Sequence, residues 1–299
     1  MLERCVKGTV VTETDILERG WIGIEGGRIV AIGQGSAPAA SQTDDHGSAL
    51  ILPGVVDGQT HATSCRGLPG IASTTASAIA GGVTTLIDMP YDNPLPLDRA
   101  ERFDDKAAAV RTHAHADMAF YGTVTSETGV ENVRALIDKG VVGFKISSFE
   151  SSPTRFPRIG EDLTLDLFEA LAATDLPLGL HNEDQEIVHA RMARARDAGD
   201  TGIVAHSTSR PLAAELAATA QFFALAQAAG AHAHPVHQTA KESFDITHIF
   251  AKTGMRATGE LCVHYLWFDA ASDGPAHGAR MKVNPPIRPG AIAGLWQSL

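Results

Sequence analysis

A lysine, Lys145, ends a short apolar stretch that reads GFKISS at positions 143–148. A strand buried on both faces has no place for an unpaired ammonium group, so this lysine must be neutralised or used. Isolated buried lysines usually pair with a carboxylate. A desolvated lysine also loses its proton more easily, and its neutral amine can add carbon dioxide. The resulting carbamate is a carboxylate on a long arm that can bridge two metal ions.

Three histidines favour this chemical interpretation because each ends a different predicted strand. His61 follows the first strand of a repeating unit, with Gln59 on the same face, and His181 and His237 end the fifth and sixth strands. A single histidine there is more often a hydrogen-bonded core or loop residue. Together with Lys145 at one end of a parallel barrel, they predict a divalent metal site for hydrolysis, with zinc the first candidate. Four other histidines are expected to be solvated: His113, His115, His189 and His206.

An alternation of strands and helices from about residue 51 would position these side chains. Strand cores are predicted at 51–57, 84–89, 119–125, 141–146, 176–180, 234–238 and 257–262. Helices are predicted at 71–80, 98–112, 130–139, 163–173, 184–198, 211–228 and 243–252. This pattern predicts a parallel sheet with helical crossovers, an α/β barrel of the TIM type that is one unit short of eight. Residues 291–299 read as a helix leading to an eighth strand that the sequence does not contain.

The first 52 residues are expected to form a separate small β unit. Strands are predicted at 5–12, 21–25 and 28–32, with a turn at Glu25, Gly26 and Gly27. Residues 36–46 are rich in Ala, Ser, Pro, Asp and Gln, which predicts a loop. The predicted domains are therefore 1–52 and 53–299.

The composition limits the partners of the protein. Of its 299 residues 44% are hydrophobic and 20% charged, as in a compact globule, and the net charge of -11 disfavours nucleic-acid binding. No apolar run is expected to span a membrane, and the N-terminus lacks the apolar core of a secretion signal. These features predict a cytoplasmic protein that acts on a small molecule, not on a membrane. The three cysteines are expected to be reduced thiols: Cys5, Cys65 and Cys262.

Five motifs resemble those of one enzyme family. They read PGVVDGQTH at 53–61, AGGVTTLIDMP at 80–90, GFK at 143–145, GELCVHYL at 259–266 and KVNPPIRP at 282–289. In type and order they are similar to the cyclic amidohydrolases, namely allantoinase, hydantoinase, dihydropyrimidinase and dihydroorotase. The resemblance covers nearly the whole chain. It implies a TIM-type amidohydrolase barrel with an N-terminal portion of a β-sandwich, and a homo-oligomer, either a tetramer or a dimer.

The resemblance also implies a set of site residues. Carboxylated Lys145 would bridge two divalent metal ions, with His181 and His237 on one ion and His61 on the other. A metal-activated hydroxide would then attack the ring carbonyl of a small cyclic amide or ureide. Asn284 would contact the substrate ring. Asp57 is assigned a supporting catalytic role.

The sequence departs from the family pattern in three places. Gln59 stands where the family usually has a second histidine, and an amide oxygen is a weaker zinc ligand than imidazole. Ala62 and Thr63 replace the arginine with which dihydroorotases bind the substrate carboxylate, so an allantoinase-like or hydantoinase-like substrate is favoured. The eighth strand, which carries a metal-binding aspartate in the family, is missing. We therefore expect a fragment of a longer enzyme, weakly active or inactive when isolated.

Three alternatives remain open. The chain belongs to a catalytically silent, dihydropyrimidinase-like scaffold protein, a reading that Gln59 supports and the retained Lys145, His181 and His237 oppose. It is a dihydroorotase after all. Or it is only a stable barrel whose histidines fill polar niches, which an unmodified Lys145 paired with an acid would support.

Overall fold

The structure is a computed structural model that describes all residues from Met1 to Leu299. The chain divides into two compact units, Met1–Val55 and Val56–Leu299. The first unit is a four-stranded sheet of β1 (Leu2–Val11), β2 (Ile16–Glu25), β3 (Arg28–Gln34) and β4 (Ala40–Ile51), in the order β3-β2-β1-β4. Neighbouring strands are antiparallel except that β4 runs parallel to β1. The loop predicted at 36–46 is therefore wrong, because most of it belongs to β4.

The second unit contains a six-stranded sheet in the order β10-β9-β8-β7-β6-β5. Its strands are β5 (Val55–Thr60), β6 (Val83–Asp88), β7 (Asp117–Gly122), β8 (Gly143–Ser147), β9 (Leu178–His181) and β10 (Ala233–Pro235). The registers between β6 and β10 are parallel. The predicted alternation is thus correct for these six strands.

The strand predicted at 257–262 does not form as a regular strand. Ala257 makes only an isolated parallel bridge to Ala233. The segment nevertheless follows β10, since Gln238 N donates to Glu260 O at 2.8 Å and Thr258 N donates to Ala233 O at 3.1 Å. No further strand pairs with its outer edge in the described sheet, so the ladder remains incomplete.

Ten helices connect or flank the strands. They are α1 (Gly70–Ala80), α2 (Ala100–His113), α3 (Val133–Lys139), α4 (Glu161–Leu171), α5 (Gln185–Asp197), α6 (Ile203–Thr208), α7 (Leu212–Ala229), α8 (Lys241–Ala251), α9 (Gly274–His277) and α10 (Ile292–Ser298). Short 3-10 helices cover Val263–Leu266 and Gly278–Met281. Each helix predicted from the apolar periodicity is present within a few residues of its predicted ends.

One helical segment contradicts the expectation that no apolar run reaches the length of a membrane span. By length and composition alone, Ile203–Ala229 passes that criterion. Pro211 separates the segment into α6 and α7, and α7 carries the fully buried Glu215, which pairs with Arg288 at 2.8 Å. Helix α7 also packs against α4, α8 and β10, so its apolar residues contribute to the protein core.

The main core lies between the parallel strands and helices α3, α4 and α7. Phe144 of β8, Phe168 of α4 and Phe223 of α7 are fully buried in it. All five residues of β8 are buried, as expected for a central parallel strand covered on both faces. Gly143 begins this strand because a Cβ there would lie 1.9 Å from Tyr121 Cε1. Strand β8 thereby packs closely against β7, and Lys145 of this strand is buried.

Candidate functional site

A cavity of about 510 Å³ lies at the carboxyl ends of the parallel strands. Six of the predicted site residues line it together: Gln59, His61, Lys145, His181, His237 and Asn284. Asp57 does not line this cavity. It lines another depression beside α1, and its carboxylate accepts a hydrogen bond from Gln59 N at 3.0 Å. A larger groove of about 790 Å³ in the N-terminal unit contains none of these residues.

Lys145 is buried, with only 2% of its surface exposed, and it makes no salt bridge. Its Nζ atom lies 3.3 Å from the amide oxygen of Gln59 when the amide nitrogen of Gln59 donates to Glu260 Oε1 at 2.9 Å. Desolvation lowers the pKa of Lys145 to about 8, although the charge on Glu260 opposes this shift. A much larger fraction of the amine is therefore neutral than in an exposed lysine. This environment is the one that carbamate formation requires.

The two histidines of β9 and β10 meet beside this lysine. His181 Nδ1 lies 3.0 Å from His237 Nε2, and their rings are T-shaped with centroids 4.7 Å apart. His181 Nε2 lies 2.8 Å from Glu183 Oε2, which also accepts a hydrogen bond from Arg210 Nη1 at 2.5 Å. His237 Nδ1 is buried without a hydrogen-bond partner.

His237 has a backbone conformation that few non-glycine residues adopt. Its φ is 46°, in the left-handed region, and the following residues are held by a buried ion pair. Glu215 accepts from Thr239 N at 2.9 Å and pairs with Arg288 Nη2 at 2.8 Å. The buried ion pair therefore anchors the chain directly after His237 and maintains the turn that aims its ring at His181.

His61 is positioned by the loop after β5 rather than by the strand itself. Its Nδ1 lies 3.1 Å from Ser64 Oγ, and Ala62 N donates to Asp88 Oδ1 at 2.7 Å. Asp88 in turn pairs at 2.7 Å with Lys106, whose side chain is fully buried. Desolvation of the ring, with a contribution from the charge on Lys145, lowers the pKa of His61 to about 3. His61 is exposed as a whole residue, and the lowered pKa leaves its imidazole neutral and able to bind a cation.

The donor chemistry of the site fits a divalent ion on one condition. No group of three or more His, Cys, Asp or Glu side chains is arranged to hold an ion. However, two imidazole nitrogens that share a tetrahedral zinc lie about 3.4 Å apart, close to the 3.0 Å between His181 Nδ1 and His237 Nε2. The missing donor would be an oxygen of Lys145 after carboxylation. The residues therefore fit a metal if Lys145 is carboxylated.

Several residues near the cavity were not predicted from the sequence. Glu183 contacts His181, and Arg210 contacts Glu183 in turn. Glu260 accepts a hydrogen bond from the side-chain amide of Gln59. Cys262 lines the cavity, and burial raises the pKa of its thiol to about 12. His206, expected to be solvated, is half-buried, with Nε2 2.9 Å from Val283 O. The alternation of residues at the ends of β9 was the available signal for Glu183, which lies two positions after His181.

The chain is similar in sequence to two bacterial allantoinases. No protein-family model matches the chain. An allantoinase of Rubrobacter xylanophilus is 32% identical over 282 residues, and an allantoinase of Deinococcus radiodurans is 30% identical over 304 residues. The matches cover 93% and 100% of this chain but 62% and 67% of those relatives. The chain thus spans about two thirds of their length.

A solved structure of a hydantoinase is similar to this chain as well. The L-hydantoinase from Arthrobacter aurescens matches with a TM-score of 0.90 and 27% identity, over 99% of this chain and 66% of that one. Together with the parallel strand order, this likeness confirms the TIM-type fold of the amidohydrolase superfamily that the sequence predicts.

Proposed function

Because the chain belongs to the cyclic amidohydrolase family, with the allantoinases and hydantoinases, we propose that the full protein hydrolyses a C–N bond in a small cyclic amide or ureide. An allantoin-like or hydantoin-like ring is the substrate class. The observation that carries this proposal is the combination of a buried lysine without an ion pair and two imidazole nitrogens 3.0 Å apart in one cavity.

Two divalent ions, with zinc as the first choice, would be held by the residues that line the cavity. His181, His237 and carboxylated Lys145 would bind one ion, and His61 with Lys145 the other. Bound ions would polarise a carbonyl and lower the pKa of water. Gln59 would be a weak ligand for the second ion, since its amide is already engaged by Lys145 and Glu260.

The chain's own residues would bind and orient the ring. The lining outside the imidazoles is partly aromatic, with Tyr91 and Phe156 in T-shaped contact at 4.6 Å. Asn284 provides an amide at the cavity wall and would hydrogen-bond the ring. No arginine lines the cavity, which supports a neutral ring over the carboxylate of dihydroorotate.

The relatives are longer than the matched region, and this supports a proposal about the whole protein. We propose that the N-terminal unit is one portion of a β-sandwich and that an eighth barrel strand comes from residues beyond those described. That strand would supply the carboxylate for proton transfer, as the resemblance implies. A cytoplasmic location and a tetramer or dimer remain predictions.

The experiment is a substrate panel of allantoin, hydantoin, dihydrouracil and dihydroorotate, run on the gene's full-length product with zinc, manganese or cobalt. We expect turnover of allantoin or a hydantoin that is lost in Lys145→Ala and retained in Lys139→Ala, an exposed lysine. Turnover of dihydroorotate alone would overturn the substrate class. No turnover and no bound metal would favour the silent scaffold, for which Gln59 is the supporting observation.

A further inference from the structure

Glu183 follows β9 and contacts Nε2 of His181, one of the proposed metal-binding histidines, whereas Nδ1 of the same ring faces His237. Its Oε2 atom lies 2.8 Å from His181 Nε2. The residue is only 1% exposed, so this contact is sheltered from water. A carboxylate buried to this degree needs a partner of opposite charge.

Arg210, just before α7, supplies that charge. Its Nη1 donates to Glu183 Oε2 at 2.5 Å, and its guanidinium lies 4.7 Å from the centre of the Phe149 ring. Arg288 donates to the carbonyl oxygen of Arg210 at 2.9 Å. On the other side, Glu183 N donates to Ser148 Oγ at 3.1 Å, which ties Glu183 to the end of the lysine strand β8. Hydrogen bonds therefore hold both the carboxylate and the backbone amide of Glu183.

The chemistry of this contact determines the proton position on His181. Arg210 Nη1 can only donate, and it donates to the same Glu183 Oε2 atom that faces His181 Nε2, so this oxygen is the acceptor in both contacts. Nε2 of His181 must then carry the proton, and Nδ1, which points at His237 Nε2, keeps its lone pair. A metal ion binds only through such a lone pair, and carboxylate partners of this kind orient ligating histidines.

We propose that Glu183, held by Arg210, is a positioning residue that fixes the Nε2–H tautomer of His181 and so presents Nδ1 to a divalent cation. The inference rests on the proposed function for the identity of the ion-binding nitrogen. It assigns no substrate contact to Glu183. It explains why a carboxylate and a guanidinium are buried beside an imidazole that is itself expected to bind metal.

The tautomer can be measured without metal or activity. Long-range ¹H–¹⁵N correlation spectra of ¹⁵N-histidine-labelled protein distinguish Nδ1–H from Nε2–H, with the His181 signal assigned from a His181→Asn variant. Titration of the full-length protein with zinc in bicarbonate buffer then gives the affinity. The matched variants are Glu183→Gln, which can still accept, the pair Glu183→Leu with Arg210→Met, which removes both buried charges, and Asp98→Asn. Asp98 is a buried carboxylate that pairs with Arg102 at 2.5 Å, away from the histidines.

We expect the Nε2–H tautomer in the wild type and in Asp98→Asn, and a mixture of tautomers in the double variant. Zinc affinity should fall about 10- to 100-fold in the double variant, with partial recovery in Glu183→Gln and no change in Asp98→Asn. An Nδ1–H tautomer in the wild type, or equal zinc affinity in the double variant, would overturn the inference. If the wild type binds no zinc, the proposed function fails, and the tautomer measurement still decides the role of Glu183.

Discussion

Replacing Lys145 with methionine removes a buried charge while keeping a long unbranched side chain. The pKa of Lys145 is about 8, against 10.5 for an ordinary lysine, because burial disfavours the ammonium form. At about 1.4 kcal/mol per pH unit, the difference corresponds to about 3 kcal/mol. The free energy of unfolding of Lys145→Met should therefore exceed that of the wild type by about 3 kcal/mol at pH 7, in metal-free buffer without carbon dioxide.

The pH dependence of this difference follows from the direction of the shift. Below pH 8 the lysine is charged in the folded and unfolded chain, so the folded wild type carries the full cost of burial. Between pH 8 and 10.5 the folded chain has released the proton and the unfolded chain still holds it, so wild-type stability rises with pH. The advantage of the methionine variant should shrink through this window and vanish above it.

Urea unfolding at a series of pH values from 7 to about 10.5 measures the effect. Lys139→Met is the control, because Lys139 is partly exposed in a surface pair with Asp104, and its stability should change by less than about 1 kcal/mol. Adding zinc and bicarbonate should stabilise the wild type and leave Lys145→Met unchanged. A methionine variant that is less stable at pH 7, or a difference that does not vary with pH, would refute the reasoning.

Three further outcomes are expected. Lys106 is fully buried and pairs with Asp88 and Asp92, so Lys106→Met leaves both aspartates without their cation. The free energy of unfolding measured in urea should fall by about 3–5 kcal/mol, and a loss below about 1 kcal/mol would contradict this. Gln59→His should increase the zinc bound per chain in elemental analysis, and unchanged stoichiometry and affinity would count against the cavity as a two-ion site. Gly143→Ala places a Cβ 1.9 Å from Tyr121 Cε1 and should lower the free energy of unfolding by about 1–3 kcal/mol. In the control Gly160→Ala the new Cβ meets nothing within 4 Å, and equal stabilities of the two variants would show that β8 is not closely packed.

The alternation of apolar strands and amphipathic helices was sufficient to predict most of the barrel. Strand β8 is the clearest case, because its GFKIS sequence is buried throughout and places the lysine where the pattern predicts. Strand β4 was missed since it reads ASQTDDHGSALI and is mostly exposed, so pairing with β1 rather than its own pattern makes it a strand. The segment near Ala257 has strand-like sequence but lacks a partner on its outer edge, and only an isolated bridge forms.

The candidate site was predictable where it depends on residues at strand ends. Their positions at the same end of separate predicted strands indicated that Lys145, His181 and His237 would meet, and the structure brings them to one cavity. Contacts between distant parts of the chain were not predictable. Arg210 reaches Glu183 across 27 residues, and the interaction of Gln59 with Glu260 spans about two hundred. No local sequence pattern reports such pairs, because they arise only when the strands and helices pack.

The central claim is that Lys145 becomes an anionic ligand that gathers imidazoles around divalent cations. A crystal structure of the full-length protein, grown with zinc and bicarbonate and recorded at the zinc absorption edge, tests it most directly. We predict three extra atoms of density beyond Lys145 Nζ and an anomalous peak in contact with His181 Nδ1 and His237 Nε2. A bare ammonium group at Lys145, with no anomalous peak in the cavity, would contradict the claim.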